Sequence, residues 1–123
     1  DEASFAPGSA TVNAELARSM KELASTLASY PYVLLVEGFV DNAFRPTPQF
    51  PDGRSLSLAR AQAAAEVLAD AGLPSLRIQV AGRGHAPQPG NTGESVTQRR
   101  SQRRVEVRIL PGTGSEGIEE VTR

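Results

Sequence analysis

Two side chains of opposite charge lie on either side of one predicted strand-to-helix connection. Asp41 follows the apolar run at residues 33–40, and the pattern predicts Arg60 in the first turn of the next helix. A carboxylate binds an ammonium group, and the planar guanidinium of arginine grips a carboxylate through two parallel hydrogen bonds. If the fold brings the two residues together, they form a small receptor for a ligand that carries both charges.

Other chemistry has less support in the sequence. His85 is the only histidine and there is no cysteine, so no tetrahedral zinc site and no Ser–His or Cys–His pairing is recognisable. Glu37 precedes Asp41 by four residues, but nothing indicates a sugar cleft for hydrolysis. Taken alone, Asp41 and Arg60 are most often a solvated surface pair that contributes ~0–1 kcal/mol. The two residues by themselves leave both interpretations open.

The composition is typical of one soluble globular domain. Of the 123 residues, 39% are hydrophobic and 22% are charged, and the formal net charge is -1. The negative net charge argues against nucleic acid as a partner. In addition, no aromatic residues accompany the arginines at residues 99–108 for base stacking. No apolar run reaches the ~20 residues of a membrane helix, and none resembles a signal peptide. We therefore expect a soluble protein, or the soluble part of an anchored protein whose targeting segment is absent.

The elements that must position these groups follow from the spacing of apolar residues. Apolar positions recur at helical intervals between Leu16 and Leu27, which predicts a helix with Asn13 as its N-cap and an end at Tyr30-Pro31. A second helix is predicted to begin at a Ser55 or Ser57 cap and to stop at Gly72. Strands are predicted at residues 32–40, 77–81 and 103–110.

The remaining segments are predicted to be irregular. Residues 42–55 carry three prolines and a glycine, and residues 87–93 form a second loop, followed by one or two helical turns at residues 94–102. We expect one domain over residues 1–110 and a disordered, glycine-rich tail over residues 111–123. The fold class is α/β (α+β): a two-layer sandwich in which helices cover one face of a mixed sheet.

Four short motifs follow one another along the chain. They are FAPGSA at residues 5–10, VEGFVDN at residues 36–42, FP and then LSLARA within residues 50–61, and GRG with P, N, T and QRRVEV within residues 82–107. In this order they resemble the F-x-x-G-S-A, V-E-G-H-T-D-N, F-P-S-N-W-x-L-S-x-A-R-A and G-x-G-x-x-x-P…N-x-T…N-R-R-V-E-I motifs of OmpA C-terminal-like, MotB-like peptidoglycan-binding domains. The FP loop is nearer to flagellar stator MotB proteins and type VI secretion components than to porins.

This resemblance implies a fold, a ligand and a set of binding residues. The fold is a mixed four-stranded sheet with helices on one face, in the order β-α-β-α-β-β. The function is non-catalytic binding of peptidoglycan through the diaminopimelate of its stem peptide, with no cofactor and no metal. Carried over by position, the ligand-binding residues are Asp41, Asn42, Arg60 and Arg103. Asp41 would bind the ammonium and Arg60 the carboxylate, helped by the N–H groups of the helix N-terminus.

The chain departs from the family pattern beside the expected site. The family's His and Thr are Phe39 and Val40 here, its Asn before L-S is Gly53, and its Asn before the paired arginines is Gln102. We expect binding to be retained but weakened or altered in stem-peptide preference. The alternative is a degenerate scaffold that serves as a protein–protein interaction or dimerisation module without wall binding.

The resemblance also implies a location and partners. The expected location is the periplasm, as the soluble domain of a membrane-anchored protein that tethers a flagellar motor, a secretion machine or the outer membrane to the cell wall. The partner is peptidoglycan, and a homodimer is compatible with the family. Contact with a membrane is expected only through a segment outside this chain.

Overall fold

The computed structural model describes residues 5–41, 43–85 and 103–110. Helices pack on one face of a mixed sheet, and the buried core lies between the two layers. The elements in chain order are α1 Ala14–Leu27, β1 Val33–Val40, α2 Gly53–Asp70, a short 3-10 helix Ser75–Arg77, β2 Ile78–His85 and β3 Val105–Leu110. In the described part of the chain, no helix has the length and apolar character needed to cross a membrane.

The sheet formed by the described residues has three strands rather than the expected four. Their order is β2-β1-β3; β1 pairs with β2 in parallel and with β3 antiparallel. The parallel pair requires a crossover, which α2 supplies. The first strand of the expected order would precede α1, where Phe5 instead lies in a bend with its ring buried. Its carbonyl accepts a hydrogen bond from the Arg103 side chain instead of joining a strand ladder.

Helix α1 begins where the sequence predicts and ends slightly earlier. The side chain of Asn13 accepts a hydrogen bond of 2.8 Å from the backbone N–H of Leu16, which confirms the predicted N-cap. At the other end, the Arg77 guanidinium donates to the carbonyls of Leu27, Ala28 and Tyr32. This positive charge binds the free carbonyls at the helix C-terminus.

Helix α2 begins earlier than predicted, because its cap is Asp52 and not Ser55 or Ser57. The Asp52 carboxylate accepts from the N–H of Ser55 at 2.8 Å, and the Ser55 hydroxyl contacts the backbone of Asp52 in return. Starting the helix at Gly53 places Arg60 in its second turn rather than its first. The predicted placement of Arg60 in the first turn is therefore wrong, and its Cα lies roughly 10 Å along the axis from the helix N-terminus. The expected contribution of the N-terminal N–H groups to the same anion stays a prediction.

Two glycines that face each other across β1 and β2 let α2 lie unusually close to the sheet. Gly38 and Gly82 are register partners, and Ser57 of α2 is fully buried over them. A Cβ atom at Gly38 would lie 2.0 Å from the Ser57 carbonyl oxygen, and one at Gly82 would lie 2.8 Å from the Ser57 hydroxyl. The close approach fixes the height of α2 above β1, and Arg60 follows Ser57 by one turn.

The other face of the sheet carries a buried carboxylate between two arginines. Glu37 is 2% exposed, and its two oxygens accept hydrogen bonds from Arg83 at 2.6 Å and from Arg108 at 2.8 Å. Burial alone would raise the pKa of Glu37, but the hydrogen bonds and charges of Arg108 and Arg83 outweigh it and hold the pKa below its ordinary value. Glu37 therefore joins all three strands and lies apart from Asp41.

We predict that Gly38→Ala destabilises the domain by about 3 kcal/mol or more, because the added methyl overlaps backbone that cannot move without lifting α2. Urea unfolding of the purified protein measures the change. Gly72→Ala is the matched control: it has open space around it but a φ of +114°, so it should cost only about 1–2 kcal/mol. Equal losses for the two variants would contradict the close-packing account.

We predict that Glu37→Gln lowers the free energy of unfolding by about 1–2 kcal/mol at pH 7. Because the folded pKa lies below the unfolded one, the stability contributed by ionised Glu37 is complete above pH ~4.5 and is lost as the pH falls through the folded value. The difference between wild type and variant should therefore shrink at pH 3. Urea unfolding at both pH values checks this, with the exposed Glu22→Gln as control; a constant difference would refute it.

Candidate functional site

A cleft of about 330 Å³ opens where β1 ends, between the segment before α1, the 43–52 loop and α2. This size is at the lower end of the range for small-molecule sites. Its walls combine apolar side chains with several charged ones. The lining residues are Pro7, Gly8, Val40, Asp41, Ala43, Phe44, Arg45, Thr47, Leu56, Arg60 and Arg103.

Asp41 is the carboxylate of the cleft, and it is already paired. It is 6% exposed, and its Oδ2 accepts a hydrogen bond of 2.7 Å from Nη1 of Arg103. Its Oδ1 accepts from the backbone N–H of Ala43 at 3.0 Å, which turns the chain at the start of the loop. A carboxylate has about four acceptor positions, so Asp41 retains capacity for a further donor.

Arg103 reaches the cleft from the residue pair that precedes β3. Besides its bond to Asp41, its Nε donates to the carbonyl oxygen of Phe5 at 3.0 Å. The neighbouring Arg104 points elsewhere, with its guanidinium 4.6 Å from the centre of the Phe39 ring. Successive side chains therefore diverge, as expected for extended backbone.

Arg60 is 1% exposed, and each of its three nitrogens donates to a backbone carbonyl. Nε bonds to Ser9 at 2.8 Å, Nη1 to Phe39 at 2.9 Å and Nη2 to Ala6 at 3.0 Å. The guanidinium also lies 5.0 Å from the centre of the Phe5 ring. Burial lowers the pKa of Arg60 to about 10, Asp41 opposes that shift and Arg103 adds to it. The side chain thus stays protonated at neutral pH.

The expected pair is brought to one cleft but is not directly bonded. Asp41, Arg60 and Arg103 all line it, whereas Asn42 lies outside the described residues. Within those residues, the ion pair of Asp41 is with Arg103, and no hydrogen bond or salt bridge joins it to Arg60. Arg103, which the family resemblance also placed in the site, lies in the same cleft as Asp41 and Arg60 and is the residue that pairs with the carboxylate. The reason is that Arg60 lies deeper in α2, where the carbonyls of the segment before α1 surround it.

Sequence reasoning missed the outer part of the cleft. Phe44, Arg45 and Thr47 come from the proline-containing loop, whose conformation no periodic pattern specifies. The only signal in the sequence was the presence of a long loop directly after Asp41. Its cationic residue, Arg45, is exposed.

Two other residues considered from the sequence lie away from the cleft. The ring of Phe39 is on the sheet face opposite α2 and does not block the cleft. His85 is the last residue of β2 and is exposed. In the part of the chain that the structure describes, no group of three or more His, Cys, Asp or Glu side chains could hold a metal ion.

The fold is that of an α+β domain with a charged cleft at the end of its central strand. Comparison with known proteins identifies the family. The profile of the OmpA family matches residues 4–104. The cell wall anchor of the T6SS from Pseudomonas aeruginosa shares 33% identity at a TM-score of 0.70, covering 84% of this chain and 71% of that one. The chain belongs to the OmpA family.

Two further structures share the fold at lower identity. The C-terminal domain of Helicobacter pylori MotB has a TM-score of 0.73 at 21% identity, covering 99% of this chain and 92% of that one. The peptidoglycan-associated lipoprotein from Burkholderia pseudomallei has a TM-score of 0.72 at 21% identity, with 88% of each chain covered. No match was found among curated protein sequences.

We predict that Arg60→Lys lowers the free energy of unfolding by about 3 kcal/mol, because an ammonium cannot reach three carbonyls in the plane of a guanidinium fork. Urea unfolding followed by circular dichroism measures this loss. The exposed Arg45→Lys, in the same cleft, should change stability by no more than about 0.5 kcal/mol. An Arg60→Lys variant as stable as wild type would show that the carbonyl contacts contribute little.

Proposed function

We propose that this domain binds peptidoglycan without catalysis, through the diaminopimelate of the stem peptide. Membership of the OmpA family and the likeness to a cell wall anchor support the polymer as ligand. The observation that carries the proposal is the convergence of Asp41, Arg60 and Arg103 on one cleft of about 330 Å³. We also assign Asn42 to this site from its position in the family motif.

The free end of diaminopimelate carries an ammonium and a carboxylate on one carbon. In the proposed complex, the ammonium shares Asp41 with Arg103, using the acceptor positions that the present contacts leave open. The carboxylate faces Arg60 and Arg103, whose charges are held in a buried setting where hydrogen bonds to ions are strong. Val40 and Leu56 supply apolar walls for the methylene chain.

The biological role that fits this binding is that of an anchor in the periplasm. The domain would tether a membrane-attached protein or machine to the wall, with any anchor lying in other parts of the protein. The identity of 33% to the T6SS anchor supports a secretion-system parent more than the 21% to MotB supports a flagellar motor.

We predict that Asp41→Asn weakens binding of a diaminopimelate-containing muropeptide at least about tenfold, because the ammonium loses its counter-charge. Titration of the labelled protein, followed by NMR, should shift the amides of Asp41 and Arg60 in the wild type. Asp70→Asn, an exposed change of equal charge, should bind normally. Asp41→Glu is a second test that keeps the charge paired with Arg103. Absence of shifts at millimolar muropeptide would reject the proposal.

A second candidate is an interaction or dimerisation module that does not bind the wall. The observation that favours it is the internal satisfaction of the site, because Asp41 is paired with Arg103 and three Arg60 nitrogens donate hydrogen bonds to backbone carbonyls. Sedimentation of the pure protein and a peptidoglycan pull-down separate the two candidates. Stable dimers without wall retention favour the module; retention that is lost in Asp41→Asn favours the anchor.

A further inference from the structure

The charged groups of the cleft are unequal in number. Among the described residues that line it, the ionisable side chains are one carboxylate, Asp41, and three guanidiniums, Arg45, Arg60 and Arg103. Asp41 and Arg103 are engaged with each other, and Arg60 is surrounded by backbone carbonyls. The excess positive charge favours an anionic group on the ligand.

Arg45 is the guanidinium least committed to the fold. It is exposed, and only its Nη1 donates hydrogen bonds, to the carbonyls of Ala43 at 3.4 Å and Phe44 at 3.2 Å. Both distances are long for N–H···O bonds. In the described part of the chain, its Nε and Nη2 have no hydrogen-bond partner. These donors are available to a ligand at the mouth of the cleft.

The spacing between Asp41 and Arg45 matches one amino-acid unit. The N–H of Ala43 donates to Asp41 at 3.0 Å, and the carbonyl of the same Ala43 accepts from Arg45 at 3.4 Å. A single N–Cα–C=O unit therefore already extends from the carboxylate to the guanidinium. The free end of diaminopimelate contains the same sequence of atoms, so its ammonium and carboxylate can reach the two groups together.

We propose that Arg45 binds the terminal carboxylate of diaminopimelate and makes the site selective for the free acid over the carboxamide. This inference rests on the proposed function. A guanidinium offers only donors, which suits the acceptor-only oxygens of a carboxylate. A carboxamide presents an NH₂ group to those donors and carries no charge, so it loses a charge-assisted bond. Arg60 contacts the same carboxylate from the buried side.

Calorimetric titration with two synthetic stem peptides tests this selectivity. Both end in diaminopimelate. In one peptide the carbon that carries the free ammonium also carries a carboxylate, and in the other that carboxylate is replaced by a carboxamide. Wild type should bind the free acid about tenfold more tightly. Arg45→Gln should weaken binding of the free acid about tenfold and that of the carboxamide by no more than about twofold. Arg18→Gln, an exposed change of the same charge outside the cleft, should match wild type for both peptides.

The outcomes distinguish this inference from the function on which it rests. If wild type binds neither peptide, the proposed function fails. If wild type binds both peptides equally, or if Arg45→Gln weakens both to the same extent, wall binding stands and the assignment of Arg45 is wrong. Selectivity that disappears in Arg45→Gln and persists in Arg18→Gln supports it.

Discussion

The burial of one guanidinium organises the region around the cleft. Moving a charged group out of water costs several kcal/mol unless hydrogen bonds replace its hydration. Arg60 meets this condition with three carbonyls, two from the segment before α1 and one from Phe39 at the end of β1. One side chain of α2 therefore joins three separate parts of the chain. The same contacts that make the buried charge tolerable also hold the Arg60 side chain in the wall of the cleft.

The two buried arginines, Arg60 and Arg103, are held in position by different groups. Arg60 takes its position from backbone carbonyls and, within the described residues, has no hydrogen bond to Asp41. Arg103 has one bond to the Phe5 carbonyl and one to Asp41, so its position depends on that carboxylate. In the proposed complex, a ligand ammonium would share Asp41 with Arg103. Under that proposal, affinity for a zwitterion would be the difference between a new ion pair and a weakened one, which would suit reversible attachment repeated over many sites of a polymer.

The sequence predicted the elements that depend on local periodicity, but it did not predict the side-chain positions that depend on contacts between distant residues. The α1 cap at Asn13 and strand β1 followed from residue spacing, and the motif order correctly indicated the family. The depth of Arg60 did not follow, because it depends on a cap at Asp52 and on glycines in two different strands. The bond between Asp41 and Arg103 joins residues 62 apart in the chain. No local pattern specifies such a pairing, and the role of the outer loop was missed for the same reason.

The described residues that depart from the family pattern, Phe39, Val40 and Gly53, occupy different places relative to the cleft. At residue 39 the side chain lies under Arg104 on the far sheet face, so replacing His with Phe removes no polar group from the cleft. Val40 does line the cleft, and a Cβ at Gly53 would lie 3.2 Å from its Cγ2 atom. A larger residue at position 53 would press on the valine. The residues at 40 and 53 are thus coupled by packing, and Val40 gives the cleft an apolar side chain where the family has Thr.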